Sequence, residues 1–526
     1  MKASDLLVAC LEREGVEHVF GLPGEEMEEL LFSLRDSTVT FVPVRHEQGA
    51  AFMADVHGRL TGDAGVCLST LGPGATNLLT GVADAHLDKS PLVAITAQGA
   101  LDRLHKESHQ AIDVLHTFEP VTKWNTQLTS PDIIHESVRK AFKLAEYEKP
   151  GATHLELPEN VATEETAMRP LEFRERVPVA APDSETLDRV KAGLQTAQRP
   201  VFVAGNGAVR THAAAQLRDF VDATDVPVVS TYMGKGAVSD ADEHSLMTLN
   251  SGESNDPTEA ISDSDLVVTV GYDIAEHDPG DWYSGDGSVV HIDTEPAEVY
   301  ETYNPDVEVV ADVGRTLQHL ADWCRSEDVS FDSGWYAELR NRIVADVNPD
   351  LTDGPPFTVQ AVLPVLREVM APEDVLISDV GSHKMIIARN FPTYEPNTCI
   401  ISNGFASMGI AVPGGLAADL AVDVNVVAAT GDGGFLMNAA EIETATRMGC
   451  SFTILLFNDN DYGLISEKQV AHTGESFGTE LTNPDFVAFA ESFGIESYRP
   501  ESPDELRASL RAAIDGEMSL IEVPVE

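Results

Sequence analysis

The chain has few basic residues for its size. Its 526 residues include 34 Lys and Arg against 87 Asp and Glu, which gives a formal net charge of −53 at pH 7. This scarcity disfavours a nucleic-acid-binding role, because phosphate binding needs a basic surface. The acidic residues are spread along the whole chain, and Lys is scarcer than Arg. The pattern therefore favours adaptation to a very salty cytoplasm over the alternative, an acidic surface for a basic partner.

Cysteine and long apolar runs are also scarce. The five cysteines are far apart and form no CxxC pair, so neither a disulfide framework nor a zinc site is indicated. No apolar run approaches the roughly 20 residues of a membrane-spanning helix, and the first residues show no cleavable leader pattern. These absences predict a cytoplasmic protein with reduced thiols and no membrane association.

Helix-period and strand-period segments alternate along most of the chain. The clearest predicted strands are apolar runs at 39–44, 65–70, 91–96, 199–205, 266–271, 375–378, 424–429 and 452–457. A helix is predicted over 48–60. Two proline-containing stretches, 171–184 and 353–356, interrupt the alternation and are typical of linkers.

This alternation predicts an α/β protein built from three consecutive doubly wound parallel-sheet domains. The predicted domains are 1–170, 185–330 and 355–526. A Gly205-Asn206-Gly207 turn follows the first strand of the middle block. Such a turn is weak support for a ligand site there, because a GxG after a strand is often only a βα turn.

A glycine-rich acidic segment follows one strand of the third block. It comprises Gly431, Asp432, Gly433 and Gly434, and a helix is expected to start after it, near Asn438. The next strand ends at Phe457 and is followed by Asp459 and Asp461. Open α/β sheets bind ligands at the carboxyl ends of their strands, so these side chains are expected to converge there.

Glycine and carboxylate together are typical of a metal-bridged diphosphate site. Glycines let the backbone approach an anion, and carboxylates hold Mg²⁺, which commonly bridges phosphate oxygens to one or two carboxylates. A lone GDGG is equally compatible with a tight turn. The second acidic strand end favours the metal site, with Asp432, Asp459 and Asp461 as predicted Mg²⁺ ligands.

With these residues in view, the chain resembles the thiamine diphosphate-dependent acetolactate synthases over nearly its whole length. The segments that carry the resemblance are 19–24, 45–54, 71–77, 102–104, 109–110 and 120–124, together with the glycine-rich acidic segment. The resemblance is closest to the catabolic, FAD-independent branch. Segments 271–273, 276–279, 402–404, 408–409 and 458–459 carry that finer placement.

The resemblance implies a specific organisation. It implies a pyrimidine-binding domain, a Rossmann-like central domain without cofactor, and a diphosphate- and Mg²⁺-binding domain. Thiamine diphosphate and Mg²⁺ are the implied cofactors, and FAD is not expected. Each active site would be built across two subunits of a homodimer or homotetramer, and the substrate would be a small 2-keto acid.

The resemblance also implies roles for individual residues. Glu47 matches the carboxylate that hydrogen-bonds the aminopyrimidine ring, and Met408 matches the bulky residue that bends the cofactor. Gln110 and Lys123 match positions lining the substrate channel, although a structural Gln and a surface Lys explain them equally well. The implied cofactor-binding set is Pro23, Gly24, Glu47, Thr70, Gly74, Asn77, Gly381, Ser382, His383, Ala406, Met408, Gly431, Asp432, Gly433, Gly434, Asp459, Asp461 and Tyr462.

The implied reaction decarboxylates pyruvate and joins the remaining two-carbon unit to a second 2-keto acid, giving 2-acetolactate. Segment 462–469 is polar where synthases carry apolar or aromatic side chains, and Asn438 and the 384–386 segment also differ from the closest pattern. A 2-keto acid decarboxylase is therefore the alternative, with unassigned candidate histidines at 46, 105, 109 and 472. A non-catalytic binding homologue is a third interpretation, which joint retention of Glu47, Asp432 and Asp459 disfavours.

Overall fold

The computed structural model describes residues 1–172, 176–249, 256–284 and 287–526. Within these ranges the chain forms three six-stranded parallel sheets flanked by helices, which confirms the predicted α/β architecture. Residues 173–175 of the predicted linker lie outside the described residues. None of the helices in the described ranges is long and apolar enough to cross a bilayer.

The first sheet has the strand order β2-β1-β3-β4-β6-β5. Its strands are β1 (His18–Gly21), β2 (Thr40–Pro43), β3 (Gly65–Ser69), β4 (Leu92–Gln98), β5 (Trp124–Gln127) and β6 (Ala152–Pro158). The helices around it are α1 (Ala3–Glu14), α2 (Glu28–Arg35), α3 (Glu47–Thr61), α4 (Pro73–Leu87), α5 (Val114–Phe118), α6 (Ile134–Glu146) and α7 (Glu159–Thr163).

The second sheet has the order β12-β11-β10-β7-β8-β9, which is the Rossmann arrangement. Its strands are β7 (Pro200–Ala204), β8 (Val228–Ser230), β9 (Ser245–Thr248), β10 (Leu266–Val270), β11 (Ser288–Asp293) and β12 (Val307–Val310). The accompanying helices are α8 (Ser184–Thr196), α9 (Asn206–Arg210), α10 (Ala214–Thr224), α11 (Asp256–Ser262), α12 (Pro279–Trp282), α13 (Val313–Glu327) and α14 (Ala337–Asp346).

The third sheet, β14-β13-β15-β16-β18-β17, repeats the topology of the first. Its strands are β13 (Val375–Ser378), β14 (Cys399–Ile401), β15 (Val426–Gly431), β16 (Thr453–Asn458), β17 (Glu496–Tyr498) and β18 (Ser519–Pro524). Its helices are α15 (Val359–Val369), α16 (Ser382–Asn390), α17 (Ala411–Ala421), α18 (Asp432–Asn438), α19 (Glu441–Met448), α20 (Gly463–Thr473), α21 (Phe486–Glu491) and α22 (Pro503–Ile514).

One predicted boundary is wrong. A helix was expected to start near Asn438, but α18 starts at Asp432 and ends at Asn438. The glycines suggest a break, whereas Gly431 is extended and Asp432 accepts a hydrogen bond from the Gly433 N–H at 2.9 Å. A carboxylate in the first turn stabilises the positive end of a helix. The acidic residue therefore begins the helix, with Gly431 just before it and Gly433 and Gly434 inside it.

The first and third domains share one hydrophobic core. Helix α3 packs against α17, and Ala50, Ala51 and Val56 are buried in the same cluster as Val412 and Leu416. A Cβ atom on Gly414 would lie 3.0 Å from Cγ2 of Val56, so the two helices approach closely. This packing fixes the third domain against the side of the helix that begins with Glu47.

A buried ionic cluster holds the loop after β14 against the first domain. The Arg59 guanidinium lies 2.9 Å from Asp55, 3.2 Å from Asp84 and 2.6 Å from Asp88. The Ser402 hydroxyl donates to Asp84 Oδ1 at 2.7 Å. Burial, followed by the neighbouring carboxylates, raises the pKa of Asp84 well above its usual value. The start of loop 402–409 is thereby held against the first domain.

Replacement of Ser402 by Ala is expected to lower the free energy of unfolding by about 1–3 kcal/mol. The reason is that Asp84 loses a hydrogen-bond donor in a buried site. Denaturant unfolding followed by circular dichroism in molar KCl measures the change. Ser184→Ala, at an exposed position at the start of α8, is the matched control. Equal stability of the two variants would contradict the role given to Ser402.

Candidate functional site

Glu47 lies in a buried polar cluster at the start of α3. Its side chain is largely buried, and Oε2 accepts a hydrogen bond from Asn77 Nδ2 at 2.9 Å. Asn77 belongs to α4, and a Cβ atom on Gly74 in the first turn of α4 would lie 3.1 Å from Glu47 Oε1. The carboxylate therefore lies beside the positive end of α4, which favours a negative charge.

The predicted residues from the ends of β1 and β3 join this cluster. A Cβ atom on Gly24 would lie 2.4 Å from Cβ of Thr70, and a Cβ atom on Gly74 would lie 2.9 Å from Cγ2 of Thr70. The Thr70 hydroxyl donates to Glu26 Oε2 at 2.9 Å. Pro23 is exposed beside Gly24. The structure thus brings Pro23, Gly24, Thr70 and Gly74 together with Glu47.

The two predicted channel residues lie at opposite ends of α4. The Gln110 carbonyl oxygen would lie 2.3 Å from a Cβ atom on Gly72, so Gln110 adjoins the end of α4 that faces Glu47. Lys123 instead lies beside His86, near the other end of the helix. The Lys123 ammonium donates to the carbonyl oxygens of residues 147 and 149 at 2.7 and 2.6 Å. Within one chain, Gln110 joins the cluster and Lys123 does not.

Asp432 and Asp459 form an acidic pair at the ends of β15 and β16. Burial, and then the neighbouring Asp459, raise the pKa of Asp432 to about 6. Burial likewise raises the pKa of Asp459. One Asp459 oxygen accepts a hydrogen bond from the Asp461 N–H at 3.0 Å. The two carboxylates repel each other in a site of low polarity, which a cation between them would relieve.

The Asp461 side chain does not complete a three-carboxylate cluster. Within the described ranges, no group of three His, Cys, Asp or Glu side chains is placed to hold a metal ion. Asp461 pairs with Glu480 through an isolated antiparallel bridge, and its buried Oδ1 has no hydrogen-bond partner. The sequence rule places all three acids at one sheet edge, but the described residues do not gather them into one three-ligand group.

Residues 381–383 lie at the start of α16, next to the glycine-rich acidic segment. His383 is buried, burial lowers its pKa to about 4, and its Nε2 has no hydrogen-bond partner. Its ring lies beside Gly431, where an added Cβ atom would be 3.2 Å away. Ser382 Oγ and Asp459 Oδ2 both approach Gly463. His383 is therefore neutral at pH 7, with an unsatisfied ring nitrogen at this sheet edge.

The loop that contains Ala406 and Met408 runs past the glycine-rich acidic segment. Ala406 has φ +55°, a left-handed conformation that costs a non-glycine residue about 1 kcal/mol. A Cβ atom on Gly433 would lie 3.5 Å from Cε of Met408 and 2.7 Å from the Tyr462 ring. Tyr462 and Met408 thus pack directly against Gly433, where any larger residue would clash with the Tyr462 ring.

Asp379 organises this loop, and it was missed in the sequence. Its buried carboxylate accepts hydrogen bonds from the N–H groups of Val380, Gly409 and Ala411 at 2.7, 2.8 and 3.2 Å. The Thr430 hydroxyl, at the end of β15, donates to it at 3.3 Å. The rule that selects Asp432 would also select Asp379, because it directly follows β13.

The donor set fits a Mg²⁺ diphosphate. Mg²⁺ is usually bound by one or two carboxylates together with phosphate oxygens and water. Asp432 and Asp459 supply two carboxylates, and His383 has an unsatisfied ring nitrogen beside Gly431.

The contacts between the two parts of the candidate site can be compared within one chain. In the described parts of the molecule, no hydrogen bond or ion pair joins Glu47 or Asn77 to Asp432 or Asp459. The start of α3 is instead covered by Glu441 of the same chain, whose Oε1 accepts from the N–H groups of residues 45 and 46 at 3.0 Å. Each part is therefore formed by residues of one chain, without a direct polar contact between the two parts in the described residues.

Comparison with known proteins identifies relatives for all three domains. Residues 1–117 match the thiamine pyrophosphate enzyme N-terminal TPP binding domain, residues 187–320 the central domain, and residues 379–523 the C-terminal TPP binding domain. Thiamine pyrophosphate and thiamine diphosphate are the same compound.

Full-length relatives are also found. The chain is 32% identical to an acetolactate synthase of Bacillus subtilis, across 100% of this chain and 93% of that protein. It is 33% identical to a catabolic acetolactate synthase of Raoultella terrigena, across 99% and 95%. A probable acetolactate synthase large subunit of Methanocaldococcus jannaschii is 31% identical, across 100% and 92%.

Proposed function

Because the chain belongs to the thiamine pyrophosphate-dependent enzyme family, we propose that it is an acetolactate synthase acting on pyruvate and a second small 2-keto acid. The observation that carries the proposal is the co-linear similarity to acetolactate synthases over the whole chain. The buried Glu47 cluster and the acidic pair at the third sheet support it. When bound, thiamine diphosphate supplies the electron sink for decarboxylation and transfer of the remaining carbon unit.

The residues of this chain would bind and orient that cofactor. Asp432 and Asp459 would hold Mg²⁺, and His383 and Ser382 would contact the diphosphate. The loop from Ala406 to Met408 would contact the rings. Glu47, fixed by Asn77, would hold or release a proton at its carboxylate, and its burial keeps bulk water away. Gln110 would lie at the substrate entrance, and Lys123 is not part of the proposed site.

We further propose that the protein belongs to the FAD-independent, catabolic branch. A Rossmann-like sheet binds dinucleotide phosphates at its first βα turn, here the turn after β7. The carboxylate of Glu276 already accepts hydrogen bonds there from the Asn206 N–H at 3.0 Å and the Asp273 N–H at 2.9 Å. Burial, and then Asp273, raise the pKa of Glu276 to about 8. A side chain thus fills the position of a phosphate, and the purified protein should show no flavin absorbance near 450 nm.

Self-association into a homodimer or homotetramer is part of the proposal. The structure describes the whole of α20, and none of its residues is buried. Apolar side chains on and beside it are exposed, with Phe477 at 90% and Ile465 at 50%. Such a surface is typical of a protein interface, and a second copy would cover it while completing the site. Light scattering coupled to size exclusion in molar KCl measures the mass.

Adaptation to high salt is likewise proposed from the net charge of −53. The thermal unfolding midpoint is expected to rise steadily with KCl concentration, because the Debye length falls from about 10 Å at 0.1 M to about 3 Å at 1 M. Circular dichroism melts across a KCl series measure it. A midpoint that falls or stays constant with salt would contradict the proposal. The five cysteines are buried free thiols, which suits the proposed cytoplasmic location.

Product analysis tests the proposed activity. Pyruvate alone, and pyruvate with 2-ketobutyrate, are incubated with the protein, thiamine diphosphate and Mg²⁺ in molar KCl, and products are identified by mass spectrometry. Acetolactate or its breakdown product acetoin is the expected result. Acetaldehyde as the main product would establish the decarboxylase alternative instead. A protein that binds no thiamine diphosphate would be a non-catalytic homologue.

A further inference from the structure

One side-chain amide joins the ends of the two strands that carry the acidic pair. The Asn483 Nδ2 group donates to Asp432 Oδ2, which follows β15. The same nitrogen lies 3.2 Å from Asn458 Oδ1 and 3.2 Å from Asn460 Oδ1, at the end of β16 and just beyond it. Because all three neighbours are oxygens, the NH₂ group of Asn483 must face them. A single donor group therefore spans both strand ends.

The backbone around Asn483 is held against the same turn. The Tyr462 N–H donates to the carbonyl oxygen of Thr479 at 3.0 Å, and the Leu481 N–H donates to the carbonyl oxygen of Asn460 at 2.7 Å. Residues 479–483 thus cross the turn after β16 as a strap. Asn483 is followed by Pro484, which restricts its backbone, and then by the start of α21. The amide is presented by a fixed segment.

The effect of this amide falls on the carboxylate proposed to hold the metal. Asp432 Oδ1 accepts from the Gly433 N–H at 2.9 Å, and Asp432 Oδ2 accepts from Asn483, so both oxygens are fixed. Groups that hydrogen-bond a metal-binding carboxylate orient it, and their removal typically costs 10- to 100-fold in metal affinity. In these contacts Asn483 is the side chain that donates to both strand ends. Its removal would therefore leave them without a shared hydrogen-bond donor.

We propose that Asn483 is a positioning residue for the Mg²⁺ diphosphate site. It holds the Asp432 carboxylate and the turn after β16 in the arrangement that the cation requires, without binding the cation through its own oxygen. This inference rests on the proposed function, because it assumes that Asp432 and Asp459 bind Mg²⁺ together with thiamine diphosphate. It assigns the strap 479–483 to the metal site, although the strap lies about 50 residues after Asp432 in the chain.

The test compares Asn483→Ala with Asn425→Ala. Asn425 is a matched control because its amide donates to Asp374 at 3.4 Å, just before the opposite end of β15. Mg²⁺ is titrated in molar KCl at saturating thiamine diphosphate, and cofactor binding is followed by the quenching of tryptophan fluorescence. The Mg²⁺ concentration at half-saturation is expected to rise about 10- to 100-fold for Asn483→Ala, and by less than about twofold for the control. Excess Mg²⁺ should restore kcat of Asn483→Ala.

Asn483→Leu provides a second variant that fills a similar volume and cannot donate. It should reproduce the shift with an unchanged unfolding midpoint in the absence of Mg²⁺. If the Mg²⁺ concentration at half-saturation in both variants equals that of the control, Asn483 is not a positioning residue. The proposed function would still stand in that case, provided that the unmodified protein binds the cofactor. Loss of activity that excess Mg²⁺ does not restore would also overturn the role of Asn483. Failure of the unmodified protein to bind cofactor would overturn both proposals.

Discussion

Glu47→Gln is expected to lower kcat by at least about 100-fold while the protein still binds thiamine diphosphate. Gln keeps the size of the side chain, and its oxygen can still accept the hydrogen bond from Asn77 that Glu47 accepts at 2.9 Å. The Gln amide, however, cannot hold or release a proton near neutral pH. The change therefore removes the proposed proton transfer and leaves the buried cluster in place. Steady-state product formation from pyruvate, together with cofactor titration, measures both effects.

Glu136→Gln is the matched control for this prediction. Glu136 is exposed on α6 of the same domain, so the same chemical change there should leave kcat within about twofold of the unmodified protein. Circular dichroism and the unfolding midpoint establish that both variants are folded. If Glu47→Gln retains most of the activity, the role given to Glu47 is wrong, whatever the identity of the products.

Asp432→Ala is expected to weaken Mg²⁺-dependent binding of thiamine diphosphate by more than about 100-fold. A loss above 100-fold is expected because groups that only orient a metal-binding side chain already contribute 10- to 100-fold to metal affinity. Asp432 is proposed to bind the metal directly. Removing it also ends the repulsion with Asp459, so the free protein should not be destabilised. Calorimetric titration with cofactor and Mg²⁺ in molar KCl measures the affinity.

Asp222→Ala controls for the loss of one negative charge in a strongly acidic protein. Asp222 is exposed on α10 of the central domain. The Asp222→Ala variant should bind the cofactor with the affinity of the unmodified protein, and its unfolding midpoint should depend on salt in the same way. Wild-type affinity in Asp432→Ala would remove the diphosphate site from the third domain.

The strands and the acidic strand end could be read from the sequence because short-range patterns determine them. The predicted strand 375–378 has the same bounds as β13, because its mostly apolar residues are flanked on each side by a polar residue. The start of α18 was missed because glycines were interpreted as a break. Asp461 was assigned to the acidic site because it follows β16, and position along the chain does not ensure that the described residues bring it into one group with Asp432 and Asp459.

Long-range features had no short-range signal. Asn483 reaches Asp432 only because the strap folds back across the turn after β16. Ser402 and Asp84 meet because two domains share a core, a contact between residues more than 300 positions apart. The placement of Glu47 relative to the acidic pair is of the same kind, since it depends on domain packing and, as proposed, on subunit assembly.

The central claim is that two copies of the chain complete each active site, one supplying Glu47 and the other Asp432. Mixing inactive Glu47→Gln with inactive Asp432→Ala subunits, after dissociation and reassembly, tests it directly. If sites form between subunits, random pairing should restore about a quarter of wild-type activity, because half of the sites receive an intact Glu47 and half of those an intact Asp432. If reassembled mixtures contain both subunits and stay inactive, each site lies within one chain and the account is contradicted.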